Sequence, residues 1–280
     1  MAATPQYPAN KFIPKKSFGQ NFLVDKNVCQ RILSTCCFHP NDTVLEIGPG
    51  QGALTAAIVQ RAGRLVAIEK DRRLFHFLQD NLDHDGIQLI HGDVLKYDLQ
   101  TLPVFDKIIG NLPYNISSPI MEKMFQKPIP GRMFFFTVQA EFARRLTAKP
   151  HCKDYGALTC FIEYHAEAQI LFHIRNTAFW PVPKVRSSFV RLSPRPFRLK
   201  ADNEELLFMI IRRSFQQRRK MLINALDSLI AKHELMEILS RLKISPQSRP
   251  ENLTLTQFIH ISNDMNRLDK NPNRREKRMD

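Results

Sequence analysis

The sequence predicts an α/β fold: a parallel sheet covered by helices, followed by a small all-helical C-terminal domain. Three observations carry that prediction. Short apolar strands alternate with helix-spaced segments through the first half of the chain. A glycine-rich turn, Gly48-Pro49-Gly50-Gln51-Gly52, joins the first of those strands to the helix that follows. Beyond about residue 200 only helical spacing remains. The 280 residues suit one domain of average size with a smaller companion.

The elements follow in order. Residues 1–22 are polar, Pro-containing and basic, and read as an arm. Val28, Ile32 and Leu33 give a helix over 28–37, and Thr43–Ile47 is the first sheet strand. Leu54, Ile58 and Val59 stand at helical spacing after the glycine turn. Leu65–Glu69 is the second strand, and Leu74, Phe77, Leu78 and Leu82 form the next helical face. Ile87–Ile90 and Phe105–Ile109 are the third and fourth strands, and Arg132–Val138 and Thr159–Tyr164 are expected to complete the sheet. Composition changes at Phe179-Trp180-Pro181-Val182-Pro183, which cannot be regular helix because proline removes a donor and restricts its neighbour. Thr254 and Gln257 make a capping box ahead of Phe258 and Ile259. This reading puts the main domain at 23–198, a helical domain at 199–270 and a charged, disordered tail at 271–280.

Composition narrows the function. With 43% hydrophobic and 24% charged residues the chain is not mostly disordered. Its 41 Lys and Arg against 27 Asp and Glu leave +14, which favours a polyanionic partner. Between Lys184 and Lys220 there are 11 basic and 3 acidic residues, a local net of +8. Lys184, Arg186, Arg212, Arg213, Arg218, Arg219 and Lys220 are the candidate contacts to such a partner. No apolar run approaches the roughly 20 residues that span a bilayer, and residues 1–16 lack the apolar core of a secretory signal. Cys29, Cys36, Cys37, Cys152 and Cys160 are odd in number and without a repeated spacing. They predict neither a disulfide framework nor a metal site, and a reducing, cytoplasmic compartment is expected.

Three carboxylates fall at successive strand ends: Glu46, Glu69 and Asp93. Open α/β sheets bind ligands at such ends. Glu69 stands 19 residues after Gly50, where a carboxylate accepts the hydroxyls of a ribose. Glu46, just before Gly48, opposes the pyrophosphate of NAD and suits a cationic or amino group. Asp93 is placed to accept an adenine amine. The set favours S-adenosylmethionine over a dinucleotide.

After the fourth strand comes Asn111-Leu112-Pro113-Tyr114. The amino nitrogen of adenine is a poor nucleophile because its lone pair is delocalised into the ring. Two acceptors, the Asn111 side-chain oxygen and the Leu112 carbonyl, can draw that nitrogen toward a tetrahedral geometry. Pro113 fixes the turn, and Tyr114 offers a face for stacking. Methyl transfer from a sulfonium is downhill, so alignment is the main task.

These stretches resemble a known family. Lys16-Ser17-Phe18-Gly19-Gln20-Asn21-Phe22-Leu23, Glu46–Gly50, Asn111–Ser117, Gln139-Ala140-Glu141, Arg144-Arg145-Leu146, Tyr155-Gly156, Phe179–Val185, and Arg219-Lys220 with Leu222 and Asn224 are similar to the KsgA-type (RsmA) ribosomal RNA small-subunit adenine dimethyltransferases. The resemblance runs from about residue 15 to about 260. It implies a class I S-adenosylmethionine-dependent methyltransferase (Rossmann-like) domain with a helical C-terminal domain that binds RNA or ribosome. The implied substrate is the loop of the 3′-terminal helix of 16S rRNA in an assembling ribosomal particle, where two adjacent adenosines each gain two N6 methyl groups. Carried over residue by residue, Asn21, Leu23, Gly48, Glu69, Asp93 and Asn111 are cofactor contacts, and Tyr114 and Phe179 sandwich the target adenine. A monomer is expected. The related large-subunit rRNA methyltransferases differ by an Ile between Asn and Pro and by another C-terminal domain. A non-catalytic assembly or transcription factor of the same fold is expected to have a damaged glycine loop or Asn111 motif, and an NAD-dependent dehydrogenase is opposed by Glu46.

Overall fold

A computed structural model describes residues 12–82, 85–126, 131–195 and 198–269. The expected tail at 271–280 and the first eleven residues of the expected arm lie outside them. The described residues divide into two compact units, 12–143 with 167–194 and 144–166 with 195–269.

The first unit opens with a 3-10 turn at Lys16–Phe18 and a two-residue strand β1 (Phe22–Leu23). Helix α1 (Lys26–Cys36) starts where the Asp25 side chain accepts from the amides of Asn27 and Val28. Then come β2 (Thr43–Ile47), the five-residue α2 (Thr55–Val59), β3 (Arg64–Glu69), α3 (Arg72–Asn81), β4 (Ile87–His91) and β5 (Phe105–Asn111). Helix α4 (Ser117–Gln126) and β6 (Gly131–Gln139) follow, and α5 (Ala140–Leu146) leads out of the unit. The chain returns through β7 (Ala166–Ile174), β8 (Phe179–Trp180) and β9 (Ser187–Pro194), after α6 (Ala157–His165).

Seven strands pair in the order β4-β3-β2-β5-β6-β9-β7. The pairs from β4 to β6 are parallel, and β9 runs antiparallel to β6. From β2 the chain moves outward to β3 and β4, then returns to the other side of β2 as β5. That reversal leaves a crevice at the carboxyl ends of β2 and β5, the place where such sheets take ligands. Ile32, Leu33 and Cys36 of α1 and Ile58 of α2 pack with Val44, Leu65, Ile109, Phe135 and Phe189 of the sheet.

The second unit is helical: α6, α7 (Glu204–Gln216), α8 (Leu222–Ala225), α9 (Lys232–Arg241) and α10 (Leu255–Asp269). Tyr155, Cys160 and Tyr164 share its core with Leu207, Ile238 and Phe258. The Thr254–Gln257 box is present, with the Thr254 amide donating to Gln257 Oε1 at 2.9 Å and the Gln257 amide to Thr254 Oγ1 at 3.3 Å.

Two expectations are corrected. Thr159–Tyr164 is not a strand but the body of α6. Its β-branched and aromatic residues suit a strand, but Leu158, Phe161, Ile162 and His165 also recur at helical spacing. Thr159 Oγ1 accepts from the Gly156 amide at 3.1 Å, satisfying a donor at the start of the helix. The sheet is completed instead by β9 and β7. The domain boundary moves as well: the first unit ends at 194 and residues 144–166 belong to the helical unit.

Gly110 of β5 stands opposite Ile47 of β2. A Cβ there would sit 2.8 Å from the Ile47 carbonyl oxygen and 3.0 Å from Leu112 Cδ2. Gly110→Ala is expected to destabilise the protein by about 2 kcal/mol, as overpacking of a close backbone contact does. Urea unfolding of the two proteins checks this through the shift in midpoint at constant slope.

Candidate active site

The glycine turn leaves β2 with Gly48 at φ +66° and Gly50 at φ +62°, the left-handed region that favours glycine. At Gly50 a Cβ would also press on the Phe22 ring at 3.2 Å. The turn is held by Glu69, at the end of β3. Its Oε2 accepts from the Gly50 amide at 3.0 Å and its Oε1 from the Asp71 amide at 2.7 Å. Burial raises the Glu69 pKa, and those amide bonds oppose the rise.

Glu46 lies deeper, at 3% exposure. Burial pushes its carboxyl up to about 7, with Thr55 opposing and the neighbouring Glu69 adding to the rise. Glu46 Oε2 and Gln51 Nε2 are buried and have no hydrogen-bond partner among the described residues. Both residues line the cleft. Buried polar atoms are nearly always paired, so an unmatched acceptor and donor on one wall point to a ligand that completes them. Asp93 lines the same cleft. Its Oδ1 accepts from the Leu95 amide at 3.0 Å and its Oδ2 pairs with Lys70 at 2.8 Å. Burial would raise its pKa, but Lys70 and the Leu95 amide outweigh it and hold it below the usual range.

Residues 17–23 also line the cleft. They are held by Asp71, whose side chain is fully buried. Lys15 Nζ donates to it at 3.2 Å, Gln20 Nε2 at 3.1 Å and Arg73 Nη2 at 2.8 Å. Burial alone would raise this carboxyl, but the bonds from Arg73, Gln20 and Lys15 hold it well below the usual carboxylate range. Phe18 receives the Lys15 and Lys70 ammonium groups at 5.1 and 5.4 Å from its ring centre. The described end of the expected arm is thus part of the site.

Asn111 ends β5 at the crevice. Its Nδ2 donates to the Asn21 carbonyl at 2.8 Å, which leaves Oδ1 as the side chain's acceptor. The Ile116 amide and Ser117 Oγ both bond the Pro113 carbonyl at 3.1 Å and hold the turn. The Tyr114 hydroxyl meets Ser187 Oγ at 2.6 Å, fixing the ring. Burial raises the phenol pKa against that hydrogen bond.

The structure brings Asn21, Leu23, Glu46, Gly48, Gly50, Glu69, Asp93 and Asn111 to one cleft with Leu112, Pro113 and Tyr114. It does not bring Phe179 there. Phe179 is 1% exposed and packs in the core, because β8 pairs with β1 and turns that ring inward. Among the basic residues, Lys184, Arg186, Arg212, Arg219 and Lys220 are exposed. Arg218 is already engaged: it donates to the carbonyls of Lys153 at 2.6 Å and Cys152 at 3.1 Å and pairs with Glu251. Arg213 is half-buried, with an unpartnered Nε among the described residues. Sequence reasoning missed Asp71, Gln20, Lys70, Gln51 and Ser187. Gln20 and Asp71 stand beside residues it did single out, and only their mutual contact reveals their role.

Three carboxylates on one cleft reject a pyrophosphate and suit a ligand that carries hydroxyls, an exocyclic amine and a cationic amino-acid end. S-adenosylmethionine fits that donor set. A family model described as ribosomal RNA adenine dimethylase matches residues 11–267. The chain belongs to this family. It is 40% identical over 269 residues to a ribosomal RNA small subunit methyltransferase A of Listeria welshimeri, covering 90% of each chain. To the protein of that name from Geobacillus thermodenitrificans it is 38% identical, covering 89% of this chain and 90% of the relative. The fold is that of a solved dimethyladenosine transferase from Plasmodium falciparum, with TM-score 0.77, 23% identity, and 88% and 98% of the two chains covered. A solved 23S rRNA methyltransferase, ErmE, aligns with TM-score 0.67, 26% identity, and 88% and 100% coverage. As a member of the rRNA adenine dimethylase family the chain is an S-adenosylmethionine-dependent methyltransferase.

Burial lifts Glu46 from 4.5 to about 7, so the folded protein holds that proton more tightly than the unfolded chain. Stability from protonated Glu46 is full below the ordinary carboxylate value and is lost as pH rises through about 7. Glu46→Gln, which keeps the shape without the charge, is therefore expected to raise the melting temperature of the ligand-free protein more at pH 8 than at pH 5. Paired thermal melts across that range check the sign.

Proposed function

We propose that the chain transfers methyl groups from S-adenosylmethionine to N6 of two adjacent adenosines in the 3′-terminal helix loop of 16S rRNA, giving N6,N6-dimethyladenosine. One observation carries this reading above all: the Asn111 amide is oriented by the Asn21 carbonyl beside a braced Tyr114, at the edge of the cofactor cleft. When bound, the cofactor supplies a methyl group on a cationic sulfur. The protein's own residues then have to present a nitrogen with an exposed lone pair. Asn111 Oδ1 accepts one N6–H and the Leu112 carbonyl the other, which favours the pyramidal nitrogen over the planar one. Tyr114 stacks on the base, and Ser187 keeps that ring from rotating away. Glu69 and Asp93 would hold the sugar and base of the cofactor, and Glu46 with Gln51 its amino-acid end.

The intact glycine turn and Asn111 motif weigh against a non-catalytic factor. Leu112 and the similarity to small-subunit relatives weigh against large-subunit rRNA. Among the described residues no helix is long and apolar enough to cross a membrane. In this reading the protein acts as a monomer on an assembling small subunit in the cytoplasm. Its helical unit adds affinity through Arg212, Arg219 and Lys220. Incubation with small subunits lacking the modification and with labelled S-adenosylmethionine, followed by mapping of the nucleosides, tests the assignment directly.

Asn111→Ala is expected to lower the methylation rate by about 10²-fold at saturating cofactor, as loss of one oriented polar group does elsewhere. N6-methyladenosine keeps one N–H, so the ratio of mono- to dimethyladenosine should change as well. Single-turnover assays with nucleoside analysis separate the two steps, and near-normal rates for both would remove Asn111 from the mechanism.

Replacing Arg212, Arg219 and Lys220 together by Ala is expected to weaken particle binding and to reduce its salt slope by about 2 to 3. Cofactor affinity should stay the same. Filter binding over a salt series and calorimetric titration read the two effects.

A further inference from the structure

Residues 181–186 form the turn between β8 and β9, and of these six only Pro183 is buried. Its carbonyl accepts from Asn176 Nδ2 at 3.3 Å, which ties the middle of the turn to the body of the unit. On either side of that tether two valines face solvent, Val182 at 57% exposure and Val185 at 45%. Exposed Lys184 and Arg186 alternate with them.

Single exposed apolar residues are ordinary, but the place of these two is not. β9 runs antiparallel to β6, so Ser187 stands opposite Gln139 at the carboxyl end of β6. That is the edge of the sheet on which the glycine turn and the Asn111 motif lie. The turn is fastened there twice. The Ala140 amide donates to the Arg186 carbonyl at 2.9 Å, and Ser187 Oγ meets the Tyr114 hydroxyl at 2.6 Å. The valines thus stand on a short, tethered turn whose root touches the ring proposed to stack on the target base.

An adenine stacked in an RNA loop cannot bring its amine to Asn111 without leaving its neighbours. Its departure exposes their faces to water, and proteins that open base steps fill such gaps with apolar side chains. A surface in which apolar and cationic residues alternate matches a strand in which base faces and phosphates alternate. We infer that Val182 and Val185 form an apolar wedge that takes the stacking position vacated by the target adenosine, while Lys184 and Arg186 hold the flanking phosphates. The inference rests on the adenine-methylation reading of the same site.

The test uses the full chain, labelled S-adenosylmethionine and small subunits lacking the modification. Val182→Ser/Val185→Ser is expected to lower the single-turnover rate at saturating particle and cofactor by about tenfold, the equivalent of one to two buried methyl groups. The salt slope of particle binding and the cofactor affinity should be unchanged, since the lost contact carries no charge. Val182→Ile/Val185→Ile should keep the rate. Val104→Ser, at a valine 59% exposed just before β5 and so at the amino edge of the sheet, should keep it too. Lys184→Ala/Arg186→Ala should weaken particle binding and flatten its salt slope, which the double-serine variant should leave as it is. A double-serine variant with the wild-type rate overturns the wedge. So does one whose defect disappears at saturating particle, which would mark a docking patch for a ribosomal protein. A wild-type chain that methylates no adenosine overturns the underlying reading of the site together with the wedge.

Discussion

Two buried carboxylates at the end of β3 set the shape of the site. Glu69 accepts from the amides of Gly50 and Asp71, and Asp71 accepts from Lys15, Gln20 and Arg73. The glycine turn, the start of α3 and the segment 15–23 are therefore all referenced to one point of the sheet. A hydrogen bond to a charged group contributes about 1.5–3 kcal/mol where it is shielded from water, and loss of Glu69 would leave the Gly50 and Asp71 amides without their acceptor.

The two carboxylates stand two residues apart, yet their proton affinities are pushed in opposite directions. Glu69 is buried with backbone amides and no cation, so the cost of desolvating its charge prevails and its pKa rises. Asp71 is also buried, but a lysine and an arginine converge on it, and its pKa falls. The difference suits two roles. Asp71 stays ionised as the fixed anchor of the segment above it. Glu69 and its neighbour Glu46 are held in an environment that penalises their charge, and hydroxyl or cationic partners from a ligand would relieve that penalty.

The parallel half of the sheet was legible because each strand is a short apolar run between helical segments and its end carries chemistry: Glu46, Glu69, Asp93, Asn111. The antiparallel half was not. β7 does alternate, with Ala166, Ala168, Ile170, Phe172 and Ile174 on one face. The β-branched and aromatic residues just before it gave the louder strand signal, and tertiary burial with Leu207 and Phe258 made them helix. Phe179 carried the right residue type at the right place in a motif, but residue type does not say which way a ring turns. Pairing of β8 with β1 decides that, and no local pattern encodes it. Arg218 shows the matching limit for charge. A count of basic residues cannot tell a cation that faces solvent from one engaged by the carbonyls of residues 152 and 153.

The segment 15–23 joins the two halves of the chemistry. At one end Lys15 and Gln20 fasten it to Asp71, and next to that anchor the Asn21 carbonyl accepts the Asn111 side-chain amide. An asparagine amide can present either its oxygen or its nitrogen to a substrate, and only the oxygen can accept from an adenine amine. The Asn21 carbonyl removes that ambiguity by taking the Nδ2 donor. The segment that lines the cleft therefore also sets the polarity of the Asn111 amide. With the segment displaced, the cleft would lose one side and Asn111 would be free to turn its NH₂ toward the base. Order in this short stretch, anchored on Asp71 through Lys15 and Gln20, thus couples the shape of the cleft to the orientation of the Asn111 amide, and on the proposed reading it ties cofactor binding to amine activation.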